Sequence, residues 1–164
     1  MATVTMTKGG HLHATRHGNT AVPYLVELDV DFAKVAEEKG SAIAAADVLE
    51  VLTVPAGTLV LYAGAQVLEE ITGTSADLTV DFGVTGGDVD RWVDGWDLDA
   101  AVVGEYAPAP GTAISPALFF TATDTLDVLV ATQTGTVTGG KVRFFACLLD
   151  ISDRPNPGRA QIGS

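Results

Sequence analysis

The chain has 164 residues, of which 47% are hydrophobic and 18% are charged. This balance predicts one packed globular domain and excludes a disordered chain. Its formal net charge is −12 at pH 7, and residues 40–140 carry fourteen acidic side chains against one base, Arg91. Because a field of this sign repels phosphates, neither nucleic acid nor a membrane surface is expected as a partner.

The first 23 residues predict an extended N-terminal arm, since they are rich in Thr, Gly and His and lack helical periodicity. No acidic residue occurs before Glu27. A metal ion bound by the three histidines is one interpretation, but metal ligands usually lie on rigid elements. We favour a basic strip that binds an acidic neighbouring subunit. The candidate partner-binding residues of the arm are Lys8, His11, His13, Arg16 and His17.

Residues 24–152 predict a β-sandwich domain. The alternation in YLVELDVDF, which begins at Tyr24, predicts a strand. Helical spacing then predicts a short helix over residues 32–39, capped by Asp31 and ended by Gly40. Short apolar segments separated by turns predict the other strands: DVLEVLTV, TLVLYAG, AQVLEEIT, ADLTVDFG, TLDVLVAT and KVRFFACLLDIS.

The turns between these strands are marked by Pro and Gly. PAG at residues 55–57 predicts a turn, and the three prolines of GEYAPAPGTAISPA predict a long loop over residues 104–117. The last strand is apolar on both faces, which is typical of a central position in a sheet. About eight strands and one short helix favour a mainly β fold, an antiparallel β-sandwich of the jelly-roll or immunoglobulin kind. Residues 153–164 predict a polar C-terminal tail.

The segment GGDVDRWVDGWDLDA, residues 86–100, holds five aspartates and both tryptophans. Clustered carboxylates suggest calcium, but EF-hand spacing fails, because the fifth position counted from Asp88 is Trp92. The favoured interpretation is a crossing segment whose aspartates bind backbone amides while Trp92 and Trp96 pack inward or against a neighbour. Trp92 and Trp96 are therefore further candidate partner-binding residues. In a sugar-binding alternative they form a stacking platform with Tyr106.

Catalytic motifs are missing from the sequence. Cys147, the single cysteine, lies in an apolar segment without an adjacent histidine, which predicts a buried thiol. No G-x-S-x-G elbow, phosphate-binding loop or marked carboxylate pair occurs. The sequence therefore predicts no enzyme, no cofactor and no bound metal ion.

Three segments resemble small virion proteins of tailed bacteriophages, a group that comprises capsid decoration (cement) proteins: DVLEVLTVPAGTLVLYAG, LTVDFGVTGGDVDRWVDGWDLDA and TDTLDVLVATQTGTVTGGKVRFFACLLDIS. The similarity covers residues 24–151. It implies a structural protein made in the bacterial cytoplasm, which binds the capsid exterior as a homotrimer and bridges major capsid proteins. A ligand-binding β-sandwich, such as a carbohydrate- or receptor-binding module of a phage fibre or tail, is the alternative.

Overall fold

The structure, a computed structural model, describes residues 3–5, 22–107 and 117–151. This part of the chain forms seven strands and one helix, in the order β1 (Thr3–Thr5), β2 (Tyr24–Asp31), α1 (Phe32–Lys39), β3 (Val48–Val54), β4 (Thr58–Gly83), β5 (Val93–Asp97), β6 (Leu118–Phe120) and β7 (Asp124–Asp150). The predicted mainly β fold, an antiparallel β-sandwich with one short helix, is confirmed. In the described ranges, no helix is long and apolar enough to cross a membrane.

Two long strands, β4 and β7, run through the whole fold. They pair antiparallel from Thr58↔Asp150 at one end to Gly83↔Asp127 at the other. At the first end, β2 pairs with β7 and β6 pairs with β4; at the second end, β3 pairs with β7 and β5 pairs with β4. β1 adds to β3 as a short parallel strand. The predicted central position of KVRFFACLLDIS is confirmed, because β7 has neighbours on both sides.

The long β4–β7 ribbon bends back on itself to make the sandwich. A straight strand of the length of β4, 26 residues, would extend about 86 Å at ~3.3 Å per residue. Instead, the rings of Phe82 and Phe144, which lie in opposite halves of the ribbon, pack with centroids 5.1 Å apart. The two halves therefore face each other, and the buried residues of both form one core.

The bend lies where the ribbon's register is irregular. The pairing shifts between Val67 and Glu69 and again between Thr74 and Asp77, and such bulges bend strands and increase their twist. At Gly73, a Cβ atom would lie 1.9 Å from the carbonyl oxygen of Thr136, so only glycine permits this close approach.

The predicted breaks inside the two long strands are wrong. TLVLYAG, AQVLEEIT and ADLTVDFG are three separate predicted strands, divided at Gly64 and at residues 73–76, and TLDVLVAT and KVRFFACLLDIS are two, joined by the Thr/Gly-rich residues 133–140. All of them continue the ladder of β4 or β7. The glycines at these places allow bulges and close contacts within a continuous ribbon instead of ending a strand.

The helix α1 has the bounds that its sequence predicts. The Asp31 carboxylate accepts hydrogen bonds from the backbone N–H groups of Ala33 (3.0 Å) and Lys34 (3.4 Å). Gly40 ends the helix in the left-handed conformation, with φ 71°. Phe32 and Val35 turn into the core, which fixes the helix on the sandwich.

Candidate interaction surfaces

Carboxylate groups accept hydrogen bonds that hold the Asp-rich segment, residues 86–100, against β4. The Asp99 carboxylate accepts a hydrogen bond from the backbone N–H of Leu78 (2.9 Å), and Asp81 on β4 accepts one from Gly95 (2.7 Å). Asp97 accepts one from the N–H of Ala100 (3.3 Å). The favoured interpretation of these aspartates as backbone acceptors agrees with this geometry.

Two pairs of carboxyl groups in this segment share hydrogen bonds. The bond with Asp90 raises the pKa of Asp88, and the bond with Asp99 raises the pKa of Asp97. The backbone N–H of Leu78 lowers the pKa of Asp99. Asp99 is therefore the member of its pair that loses its proton first as pH rises.

Asp81 lies on β4 beside the Asp-rich segment, and burial raises its pKa against the opposing effect of the Gly95 N–H. The negative charges of Asp94 and Asp90 raise this pKa further. Within the described residues, no group of three or more His, Cys, Asp and Glu side chains is arranged to hold a metal ion. The geometry of the segment thus favours a structural use of its aspartates.

Both tryptophans lie in the core. Trp92 and Trp96 are each 3% exposed, and the Trp92 ring packs 6.2 Å from the ring of Phe82. The guanidinium of Arg91 lies 5.6 Å from the centre of the Trp92 ring. The expectation of a sugar-stacking platform built from Trp92, Trp96 and Tyr106 is therefore wrong for both indoles, because burial makes their faces inaccessible. The partner-binding role of Trp92 and Trp96 stays a prediction.

The predicted basic residues of the arm, Lys8, His11, His13, Arg16 and His17, lie outside the described residues. Of the predicted arm, the structure describes Thr3–Thr5 and residues 22 and 23. Thr3–Thr5 form β1 in register with Val48–Glu50 of β3. Part of the arm thus has a strand partner although its own sequence contains no strand-length apolar run.

A cluster of exposed apolar side chains covers the outer side of the sheet formed by β2, β7 and the first half of β4. Leu25, Cys147 and Tyr62 occupy one row across these three strands. The ring of Phe145 lies 6.2 Å from that of Tyr62 and 6.5 Å from that of Tyr106. We call these five residues, Leu25, Tyr62, Tyr106, Phe145 and Cys147, the outer aromatic face.

Gly64 lies beneath the rings of the outer aromatic face and leaves room for them. A Cβ atom at Gly64 would lie 3.0 Å from the Tyr62 hydroxyl oxygen and 3.1 Å from the Phe145 ring. Tyr106 reaches the same place because it forms a β-bridge with Gln66 on β4. The prediction of a buried Cys147 is corrected to a partly exposed thiol, because β7 turns this residue outward between Leu25 and Tyr62.

Sequence reasoning did not find the outer aromatic face. One signal was present in β2, whose exposed positions begin with the apolar Leu25 and continue with the acidic Glu27 and Asp29. A second signal was β7, whose outward positions include Phe145 and Cys147. The contribution of Tyr106 depends on a loop that joins β4 only in three dimensions.

An open cleft of about 280 Å³ lies beside the Asp-rich segment. Val84, Asp88, Arg91, Leu118, Phe119 and Phe120 contribute to its lining. The charged groups Asp88 and Arg91 form an ion pair with each other at 3.3 Å. A third charged group, Asp124, also lines the cleft, so the lining carries two carboxylates and one guanidinium.

No known protein-family model matches the chain, and no curated protein matches its sequence. Comparison of folds does find matches. A chain of the Cyanophage Pam1 capsid asymmetric unit matches with a TM-score of 0.59 and 19% identity, over 84% of this chain and 91% of that chain. A chain of the capsid of Ralstonia phage GP4 matches with a TM-score of 0.59 and 16% identity, over 93% of this chain and 100% of that chain.

The chain shares its fold with chains of phage capsids. A third example comes from the acidic stable capsid of Helicobacter pylori bacteriophage KHP30, with a TM-score of 0.52 and 12% identity over 80% of this chain and 90% of that chain. The resemblance to phage virion proteins is thereby confirmed at the level of the fold.

Proposed function

We propose that the chain is a structural protein of a tailed-phage virion, made in the bacterial cytoplasm, which decorates the outer surface of the capsid and stabilises the shell. Its partners are the major capsid protein and further copies of itself, arranged as a homotrimer. The N-terminal arm engages neighbouring subunits through its basic residues. This role requires no enzymatic activity and no cofactor.

The observation that carries the proposal is the near-complete overlap with a phage capsid chain. The match to the Ralstonia phage GP4 capsid chain spans 93% of this chain and 100% of that chain, so it covers a whole fold and not a local motif. Such a likeness at low identity supports a shared architecture, and function must then be argued from surfaces.

The charge distribution supports the decoration role. A body with fourteen acids and one base over residues 40–140 is poorly suited to bind DNA inside a capsid. A basic arm on an acidic body allows each copy to attract the next. Many weak contacts held in one lattice then give strong overall binding.

The role of the N-terminal arm is tested by a variant that removes the charges of the arm and keeps its length. The variant replaces Lys8, His11, His13, Arg16 and His17 with Gln, which keeps β1 on β3, whereas deletion of residues 1–20 would remove that strand. We expect a folded body whose occupancy on capsids of the encoding phage falls strongly, measured by co-sedimentation. The matched control replaces Lys34, Arg154 and Arg159 with Gln. Equal occupancy of the arm variant and the control would contradict a role for the arm.

A carbohydrate- or receptor-binding module is the second candidate, because Tyr62 and Tyr106 expose ring surface next to Phe145. Binding to a glycan array that is lost in Tyr106→Ala would favour it. No binding to the glycan array, together with binding to capsids, would favour capsid decoration.

A further inference from the structure

Three of the five side chains of the outer aromatic face are about half exposed or more. Leu25 is 55% exposed, Tyr62 49% and Tyr106 60%, and all three surround Phe145 or Cys147. Soluble monomers rarely leave contiguous apolar surface open unless another molecule covers it. The face therefore has the character of an interface.

Acidic side chains border this face on the side of β2. The Asp29 carboxylate forms two bonds with the Arg143 guanidinium, at 2.7 and 3.1 Å, and Glu27 lies 3.8 Å from the same guanidinium. Two carboxylates thus share one cation, which leaves one net negative charge at the border. A matching occupant carries positive charge, and its cations can also lie on the faces of Tyr62 and Tyr106.

The N-terminal segment has this chemistry and enters the sandwich at this place. Residues 6–21, which lie between β1 and the start of the sandwich, contain basic side chains and no acids. They join the body at Val22, three positions before Leu25. These sixteen residues are held at one end by β1 and at the other by Val22, so their middle can project about 26 Å at ~3.3 Å per residue, which is enough to contact an adjacent subunit.

We propose that the outer aromatic face of one copy binds the basic segment Lys8–His17 of a neighbouring copy. The inference rests on the proposed function. An arm that binds a neighbouring copy links copies in a lattice, whereas an arm that binds the face of its own copy does not. The apolar side chains of the face cover the aliphatic parts of the segment, and the acidic border attracts its cations.

The single cysteine provides a native reporter, because Cys147 lies in the row between Leu25 and Tyr62. The experiment measures the rate at which the neutral reagent N-ethylmaleimide modifies Cys147 in the full chain, from dilute solution to the highest soluble concentration and on capsids. A thiol under a bound arm reacts only when the arm is off, so we expect a rate about tenfold slower at saturation. High salt should restore the dilute rate.

Matched variants identify the two sides of the contact. Lys8→Gln with Arg16→Gln should abolish the protection, whereas Lys34→Gln with Arg159→Gln removes the same charge elsewhere and should preserve it. On the receiving side, Tyr106→Ser should weaken the protection. Val103→Ser, on the same loop and equally exposed, should leave it unchanged.

Two results would overturn the inference. Protection that depends on the arm but not on concentration would show that each copy covers its own face, and unprotected Cys147 both in concentrated solution and on capsids would show that the arm binds elsewhere. Neither result removes the proposed function, which fails separately if the wild-type chain does not bind capsids.

Discussion

Among individual residues, two aspartates of the segment 86–100, together with Asp81 on β4, bind the backbone around them. Asp99 holds the N–H of Leu78, Asp97 holds that of Ala100, and Asp81 reaches from β4 to Gly95. These bonds fix a segment that lacks long strands of its own, while Trp92 and Trp96 anchor it in the core. The high acid content of the segment is thus compatible with a structural role.

Substitution of Asp99 tests this role. Asp99→Ala should lower the free energy of unfolding by about 1 kcal/mol, because the Leu78 N–H loses its acceptor. Asp99→Asn keeps an acceptor oxygen and should lose less. Asp94→Ala, an exposed position on the same segment, should change stability by less than ~0.5 kcal/mol. Urea denaturation measures all three, and equal effects of Asp99→Ala and Asp94→Ala would contradict the assignment.

At the scale of elements, the sandwich depends on two strands that cross from one sheet to the other. β4 and β7 are far apart in the chain, yet they pair along almost their whole length. Their bend is permitted by irregular register and by Gly73, which packs directly against the carbonyl group of Thr136. This bend near Gly73 determines how the two halves of the β4–β7 ribbon face each other.

Gly73→Ala should destabilise the fold by about 1–3 kcal/mol, because the new methyl group overlaps the backbone of β7. Gly87→Ala is the matched control, since a Cβ atom there meets its nearest neighbour at an ordinary 3.6 Å. Thermal unfolding of both variants measures the difference. A Gly73→Ala variant as stable as Gly87→Ala would contradict this, because it would show that the bend accommodates a methyl group without loss of stability.

The sequence predicts elements whose signals are local and misses those that depend on distant pairing. Asp31 and Gly40 lie at the ends of α1 and give its bounds correctly, since a cap requires only a few neighbouring residues. In the sequence, Gly64 and Gly73 look like the ends of strands, because the residues around them do not show which distant strand pairs with them. The outer aromatic face is missed for the same reason, as Tyr106 reaches the ring of Phe145 only through its bridge with Gln66.

For the whole molecule, the excess of acids predicts how stability depends on pH. Asp81, Asp88 and Asp97 have raised pKa values in the fold, so the folded state binds protons more readily than the unfolded chain at these sites. Their stabilising contribution is present below the ordinary value of 3.8 and is lost as pH rises through the raised values. Asp99, with a lowered pKa, acts oppositely and loses its contribution only at more acidic pH.

We therefore expect the free energy of unfolding to increase as pH falls through the raised pKa values of these three aspartates toward 3.8. Relief of repulsion in a chain of net charge −12 acts in the same direction. Urea denaturation at a series of pH values at constant ionic strength measures the trend. A steady loss of stability from pH 7 downward would contradict it, and Asp81→Asn should flatten the profile.

The proposed place of the chain in a virion is tested most directly by a cryo-electron microscopy reconstruction of capsids from the phage that encodes it. The decoration role predicts that the β4–β7 sandwich fits density on the outer surface of the shell, with connecting density from each N-terminal segment to an adjacent subunit. Purified capsids that carry no such density, although the chain is produced during infection, would contradict it.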